Sequence, residues 1–237
     1  MATFLEIQQR VEKWLRDVPA DTVAEIPTLI NEAQRELQRQ HNFRAMQAAA
    51  AFTTVAASNT LGTISDFKEP RKRPYWTDND GSTHEMQWQP SLDYLIQRYD
   101  NTSVGAPGFV FWGSTDGSSV VTLQVYPKSD SLSQFDDLEY RVAVPYWNYL
   151  PALSADSDTN WFTNKADKYL RLHALGWATL LNIDEERGMV YLRAADNEAK
   201  ALISADKMSV VQQPEALPYS ENAGTQAGVT RGWWYAF

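Results

Sequence analysis

The most strongly patterned stretch of the chain is residues 164–208, NKADKYLRLHALGWATLLNIDEERGMVYLRAADNEAKALISADKM. Apolar residues recur every three or four positions in both halves of this stretch, which predicts two consecutive helices at 164–182 and 184–208. Asp184 stands between them and is a typical helix N-cap residue. The first helix is apolar on most sides, so we expect neighbouring elements to cover it from more than one direction.

The N-terminal segment predicts a second pair of helices, at 3–16 and 23–41. Thr3 and Glu6 have the spacing of a capping box, in which each side chain accepts a hydrogen bond from the other residue's backbone N–H. In the helix at 23–41 the apolar positions form one stripe. The remaining positions predict a polar outer face, made of Glu32, Gln34, Arg35, Glu36, Gln38, Arg39 and Gln40.

The segment between the helical pairs has the composition of β-structure. Alternating and β-branched residues predict strands at 48–55, 71–76, 107–112, 120–126 and 137–146. A hairpin turn is expected at 77–82, a second turn between two strands at 114–118, a short helix at 90–98, and a polar return loop at 150–160.

These elements predict an α+β fold. We expect an antiparallel helical bundle of two N-terminal and two C-terminal helices, formed by residues 1–47 and 148–210. A β-rich insertion domain is expected at 48–147. Residues 211–237 carry prolines and glycines without periodicity, which predicts an extended C-terminal arm.

Composition limits the possible functions. The chain of 237 residues has 43% hydrophobic residues, no cysteine and a net charge of −9. An acidic protein is poorly suited to sequence-specific DNA binding, in which lysine and arginine neutralise phosphates. The absence of cysteine excludes disulfides and thiol catalysis. No signal peptide or membrane-spanning segment is evident, which favours a soluble protein.

No motif indicates catalysis, a metal or a cofactor. His41, His84 and His173 lie in separate segments without metal-ligand spacing, and His173 is expected to be a structural residue on an apolar helix face. Residues 78–82 begin like a calcium loop, but Gln89 occupies the position where an EF-hand needs glutamate, so a turn is the better interpretation. There is no Gly-x-Ser-x-Gly motif and no phosphate-binding glycine loop. We therefore predict that the protein is not an enzyme.

A basic cluster stands out in this acidic chain: Lys68, Arg71, Lys72 and Arg73. A solvated loop is one interpretation. The alternative is a contact made by Arg71, Lys72 and Arg73 with phosphate or with an acidic neighbouring subunit.

The C-terminus ends in a group of aromatic residues, Trp233, Trp234, Tyr235 and Phe237. They either fold back onto the protein's own core or anchor the arm in a partner. We favour the anchor, because tryptophan and tyrosine bury a large area at a low entropic cost in protein interfaces.

The order of elements resembles that of the head–tail adaptor proteins of tailed bacteriophages, including the tail tubular A proteins of short-tailed phages. The likeness covers about residues 1–209. It is carried by FLEIQQRV at 4–11, INEAQREL at 30–37, VYP at 125–127 before LEYR at 138–141, WFTNKAD at 161–167, and the run at 185–202.

This resemblance implies a structural virion protein at the head–tail junction, assembled in the host cytoplasm. It implies a ring, a dodecamer, beneath the portal protein, joined to a downstream tail or nozzle protein, with genomic DNA passing through the channel. The arm would reach into the portal, and the loop with Arg71, Lys72 and Arg73 would lie at a contact between subunits.

A carbohydrate-binding or receptor-binding tail module is the alternative. It would use Trp76, Trp88, Trp112 and Trp147 as stacking platforms for sugars. Because these tryptophans belong to different predicted elements, core packing is the favoured interpretation. A hydrolase is a weaker alternative.

Overall fold

The computed structural model describes residues 2–15, 19–77, 81–99, 103–113, 120–129 and 140–211. Helices occur near both ends of this range, and strands fill most of the middle. The helices are α1 Phe4–Leu15, α2 Ala20–Gln40, α3 Leu92–Arg98, α4 Trp161–Lys165, α5 Asp167–Asn182 and α6 Glu185–Val211. Both predicted helical pairs and the short helix at 90–98 are confirmed.

Helix ends follow the capping chemistry of the sequence. The Glu6 backbone N–H donates to Thr3 Oγ1 at 3.2 Å, and the Thr3 N–H donates to Glu6 Oε2 at 3.4 Å. Asp184 Oδ1 accepts from the Arg187 N–H at 3.1 Å. The predicted capping box and the predicted N-cap are therefore both confirmed.

The predicted helix at 164–182 is wrong in one respect, because the structure divides this region into two helices. α4 begins at Trp161, where the Asn160 and Thr163 side chains cap each other's backbone N–H groups. The break falls at Ala166, whose φ of −113° and ψ of 17° lie outside the helical region. α5 then starts at Asp167.

The strands form two main sheets and one small pair. The strands are β1 Gln47–Thr53, β2 Thr60–Ile64, β3 Phe67–Pro70, β4 Tyr75–Thr77, β5 Thr83–Glu85, β6 Gln87–Gln89, β7 Val104–Gly105, β8 Phe109–Gly113, β9 Val121–Tyr126, β10 Lys128–Ser129 and β11 Arg141–Asn148. In the first sheet the order is β1-β11-β4-β5, with β3 also paired to β11. In the second sheet the order is β2-β9-β8-β6, and β10 pairs with β7 separately.

The predicted hairpin pairings are confirmed, but one strand is not. β4 pairs antiparallel with β5, and β8 pairs antiparallel with β9, as the turns at 77–82 and 114–118 predict. The predicted strand at 71–76 is wrong for its first four residues, since β3 ends at Pro70 and β4 begins at Tyr75. Pro74 has no N–H to donate to a strand ladder, which favours a break here.

Two hydrophobic cores follow this division between helices and strands. The first consists mainly of residues from α1, α2, α4, α5 and α6. The second consists of strand residues, together with Met86 and Tyr140. The overall mixed α+β class is thus confirmed, whereas the exact domain bounds and the arrangement of the whole antiparallel bundle stay predictions.

Helix α5 lies at the centre of the helical part. It packs against α1, α2 and α6, and Tyr169, Leu170 and Ala174 are buried on it. Its contacts with α6 run in opposite directions along the two helices: Lys168 pairs with Glu198 at 2.6 Å, and Gly176 and Gly188 lie against Leu192 and Leu180, respectively. α5 and α6 therefore form an antiparallel hairpin, and the expectation that several elements cover α5 is confirmed.

The return loop after β11 is held by three amide side chains of α2. Asn31 accepts from the Leu153 N–H at 2.8 Å and donates to the Leu153 carbonyl at 2.9 Å. Gln34 Nε2 donates to the Pro151 carbonyl at 2.9 Å, and Gln38 Oε1 accepts from the Leu150 N–H at 2.7 Å. We call these three side chains the amide clamp.

The amide clamp corrects the prediction that Gln34 and Gln38 belong to the exposed face of α2. Both side chains are only 2% exposed. Asn31, Gln34 and Gln38 are spaced at i, i+3 and i+7, so they share one helix face. That face meets the loop backbone, whose polar groups need partners once they are buried.

Removing the clamp is expected to destabilise the fold. Asn31→Ala leaves both backbone groups of Leu153 without these partners, and Gln34→Ala removes the donor to the Pro151 carbonyl, so each should cost about 1–3 kcal/mol. Urea denaturation followed by circular dichroism measures the loss. Glu32→Ala, on the exposed face of α2, is the matched control and should change stability by less than about 0.5 kcal/mol. Equal stability of all three variants would contradict the role of the clamp.

Candidate interaction surfaces

A groove of about 750 Å³ lies where the C-terminal parts of α2 and α6 meet the segment around β3. Basic side chains dominate its lining: Arg39, Arg44, Lys68, Arg71, Lys72 and Lys207. The acidic side chains in the same lining are Glu69 and Asp206. We call this site the basic groove; it carries an excess of positive charge in a chain whose net charge is −9.

The acidic side chains of the basic groove are already engaged within the chain. Asp206 Oδ2 lies 3.0 Å from His41 Nε2, and Asp206 Oδ1 lies 3.6 Å from Arg44 Nε. Glu69 accepts a hydrogen bond from the Asn42 side chain. Asp206 therefore offsets Arg44, one of the six cations, and with six basic and two acidic side chains the lining keeps an excess of positive charge.

Lys68 has a structural role at the edge of the groove. Its ammonium donates to the Gln38 carbonyl and, at 3.3 Å, to the His41 carbonyl, at the C-terminal end of α2. A cation is favourable at a helix C-terminus, where carbonyl groups lack intrahelical partners. Burial lowers the pKa of Lys68 from its ordinary value, and the neighbouring Glu69 carboxylate opposes that shift.

The predicted contact residues Arg71, Lys72 and Arg73 do not stay together. Arg71 lies over the Trp147 ring, with its guanidinium carbon 5.6 Å from the ring centroid, and Lys72 also lines the basic groove. Arg73 lies outside the groove lining and pairs with Glu85 at 2.9 Å.

Sequence reasoning missed three members of the basic groove. Arg39, Arg44 and Lys207 are distant in sequence from the basic cluster, and only the fold brings them to it. Arg39 and Lys207 could be recognised as polar-face residues of their helices, but no spacing rule connects them to Arg71.

The turn between α5 and α6 forms a second unusual surface. Residues 181–187 are all exposed. Among them, Leu181 is 60% exposed and Ile183 is 49% exposed, and Val190 on the next turn is 60% exposed. We call residues 181–190 the hairpin tip.

The hairpin tip is also acidic. Asp184, Glu185 and Glu186 follow one another at the start of α6, and Arg187 is the basic residue among these positions. Carboxylates are favourable at a helix N-terminus, which explains their position within the chain. The same charges make the tip an anionic surface that surrounds exposed apolar side chains.

Gly188 fixes the shape of the hairpin tip. A Cβ atom at this position would lie 2.7 Å from the Leu180 Cα atom and 2.6 Å from its Cβ. Only glycine therefore allows the first turn of α6 to approach the backbone of α5 this closely.

The four tryptophans of the sugar-binding alternative do not share one exposed strand face. Trp76 is buried, donates to the Pro107 carbonyl at 2.9 Å, and stacks on His84 with ring centroids 4.0 Å apart. Trp88 and Trp112 meet edge to face at 5.1 Å and pack against the strand core. Trp147 packs against the helical core. The expected core packing of these residues is confirmed.

The histidines likewise have structural surroundings. His173 Nε2 accepts from Trp177 Nε1 at 3.4 Å, and burial lowers the pKa of its ring against an opposing effect of Glu36. In the part of the chain that the structure describes, no cluster of three or more histidine and acidic side chains could hold a metal ion. Within the same part, no helix is both long and apolar enough to cross a membrane.

Several predicted features fall wholly or partly outside the described residues, among them residues 137–139 of the predicted strand at 137–146 and the C-terminal arm after residue 211. The terminal aromatics Trp233, Trp234, Tyr235 and Phe237 lie beyond residue 211, the last one described. Of the calcium-like stretch, residues 78–80 are also outside. Gly81 has a φ of +86°, a left-handed conformation that glycine adopts without strain and that suits a turn.

The family to which the chain is matched identifies its class, a structural protein of the bacteriophage virion that acts as a tail adaptor. The chain belongs to the family described as SU10 adaptor protein, which it matches over residues 2–217. No curated protein matches the chain. The resemblance to phage adaptors is thereby confirmed, and the family indicates a non-enzymatic role with portal and tail proteins as partners at the head–tail junction.

The close approach at Gly188 predicts a loss of stability on substitution. Alanine raises helix propensity by about 1 kcal/mol, but its Cβ would overlap the Leu180 backbone, so we expect Gly188→Ala to be destabilising by about 1–2 kcal/mol. The midpoint of urea denaturation measures this. Gly105→Ala is the control, because its Cβ would meet Pro127 Cγ at an ordinary 3.5 Å. A more stable Gly188→Ala protein would show that the helices move apart at no cost.

Proposed function

We propose that this protein is a head-to-tail adaptor that forms a ring beneath the portal and joins it to the next tail component. The observation that carries the proposal is the match to the SU10 adaptor protein family over residues 2–217. The ring is assembled in the host cytoplasm and stays at the head–tail junction of the virion. Its partners are the portal protein, a downstream tail or nozzle protein, and further copies of itself.

In this proposal the two parts of the chain have different tasks. Residues 1–47 and 148–210 form the helical body of the ring, a dodecamer. The β-rich domain at 48–147 faces outward or towards the next tail protein. The presence of two separate hydrophobic cores supports this division, because each part then keeps its own packing.

The net charge of −9 suits a channel through which DNA passes. A surface of the same sign as the phosphate backbone repels it and prevents tight binding during passage. The contact with genomic DNA is then non-specific, and the basic groove belongs at a protein contact, away from the lumen.

The C-terminal arm at 211–237 is the proposed grip on the portal. Trp233, Trp234, Tyr235 and Phe237 would anchor there, since buried aromatic side chains supply much of the binding energy of protein interfaces. α6 leads directly into the arm, so the end of this helix sets the point from which the arm starts.

Portal rings mixed with the full chain test both the function and the anchor. The wild-type protein should give a stoichiometric ring complex by native mass spectrometry. Replacing the four terminal aromatics by alanine should weaken this complex by at least about a hundredfold, because the loss of a single hot-spot aromatic already costs about 2 kcal/mol or more, which is about thirtyfold.

Tyr219→Ala, in the same arm but outside the aromatic group, is the matched control and should bind like the wild type. Unchanged binding of the four-alanine variant would refute the anchor only. A wild-type protein that binds no portal ring, but is retained on a glycan array, would refute the adaptor function in favour of the carbohydrate-binding alternative.

A further inference from the structure

The hairpin tip and the basic groove are complementary in charge. The tip presents Asp184, Glu185 and Glu186 around exposed apolar side chains. The groove lining has six basic side chains against two acidic ones, of which Asp206 pairs with Arg44. We propose that the hairpin tip of one copy docks into the basic groove of a second copy, and that this contact links neighbouring subunits. The proposal rests on the ring function proposed above.

The two surfaces cannot meet within one chain. Both are built partly on α6, a single helix of 27 residues. Glu186 and Lys207 are separated along it by about 30 Å at 1.5 Å per residue. The tip must therefore find its groove on another molecule.

The groove gains from an acidic occupant. Cations gathered in one concave site repel one another, and the repulsion is stronger where protein atoms replace water. The three carboxylates of the tip would relieve that repulsion. The excess positive charge is unusual in a chain with 30 acidic and 21 basic residues, which makes the complementarity informative.

The apolar part of the contact also has a counterpart. Leu181, Ile183 and Val190 are the most exposed apolar side chains of the tip. Trp147, whose ring lies beneath the Arg71 guanidinium, is the large apolar residue of the groove lining and would be their counterpart. An apolar centre inside a charged rim is the usual composition of a specific protein interface.

A contact between two different patches has a consequence for symmetry. Each copy would use its tip towards one neighbour and its groove towards the other. Such a head-to-tail contact produces a ring when the rotation closes, whereas a two-fold dimer needs the same patch on both partners. The proposed contact is therefore of the kind that a ring requires.

Disulfide trapping tests the contact directly, because the chain has no native cysteine. Full-length Glu185→Cys protein is mixed with full-length Lys72→Cys protein and oxidised. We expect a covalent heterodimer on a non-reducing gel. Glu12→Cys, an exposed acidic position on α1, replaces Glu185→Cys in the control and should give a several-fold lower yield. Equal yields would overturn the proposal.

Charge reversal provides a second and independent test. One variant carries Glu185→Lys and Glu186→Lys, and the other carries Arg71→Glu and Lys72→Glu. Each alone should self-associate on the order of tenfold more weakly than the wild type in sedimentation velocity at low salt, because like charges then face each other. Mixed together they should regain association, since the basic tip of one variant fits the acidic groove of the other.

Two outcomes would contradict the docking. One is a mixture that associates no better than the separate variants. The other is a groove that binds a short DNA duplex, loses it on Arg71→Glu and Lys72→Glu substitution, and gives no tip-dependent crosslink. Both tests use the adaptor without portal, so a trapped contact with no portal binding would refute only the ring beneath the portal. Portal binding with no trapped contact would refute only the tip-to-groove docking.

Discussion

The amide clamp is the interaction on which the connection between the two parts of the molecule depends. Strand β11 is paired with three other strands and ends at Asn148, and the chain must then return to the helical core. Asn31, Gln34 and Gln38 form hydrogen bonds with the backbone of this returning segment. Asn160 Nδ2 also donates to Gln34 Oε1 at 2.7 Å. Because Asn160 also caps α4, the clamp on α2 positions the start of the C-terminal helices. Buried amides are costly without partners, so this segment has one well-defined path.

Charge is distributed unevenly over this acidic chain. A net charge of −9 keeps copies apart in general, whereas the basic groove is a local exception. That combination favours one relative orientation of two copies over random association, since only a few surfaces attract each other. The family supplies the role of structural adaptor, and the proposed contact between the hairpin tip and the basic groove would let subunits recognise each other specifically.

Patterns that depend on neighbours in sequence could be read without the fold. The capping box at Thr3, the N-cap at Asp184 and the two hairpin pairings need only local spacing, and all are present. Side-chain polarity predicts Gln34 and Gln38 on the polar outer face of α2, yet both are buried. Polarity alone does not show that a buried loop backbone needs those amides as hydrogen-bond partners. The helix break at Ala166 has no proline or glycine, so the local sequence does not predict it. The basic groove joins residues far apart in sequence, and its assembly is a property of tertiary structure alone.

The single helix α6 fixes the distance and the relative rotation between the hairpin tip at its start and the groove residues Asp206 and Lys207 near its end. Its 27 residues extend for about 40 Å, and each residue turns the helix by about 100°. Inserting one residue in its middle would lengthen it by only 1.5 Å but would turn the tip to another side of the molecule relative to Asp206 and Lys207. Insertions of seven residues nearly restore the phase, because two turns contain about 7.2 residues. Evolution can therefore change the reach of this helix in steps of two turns far more easily than one residue at a time.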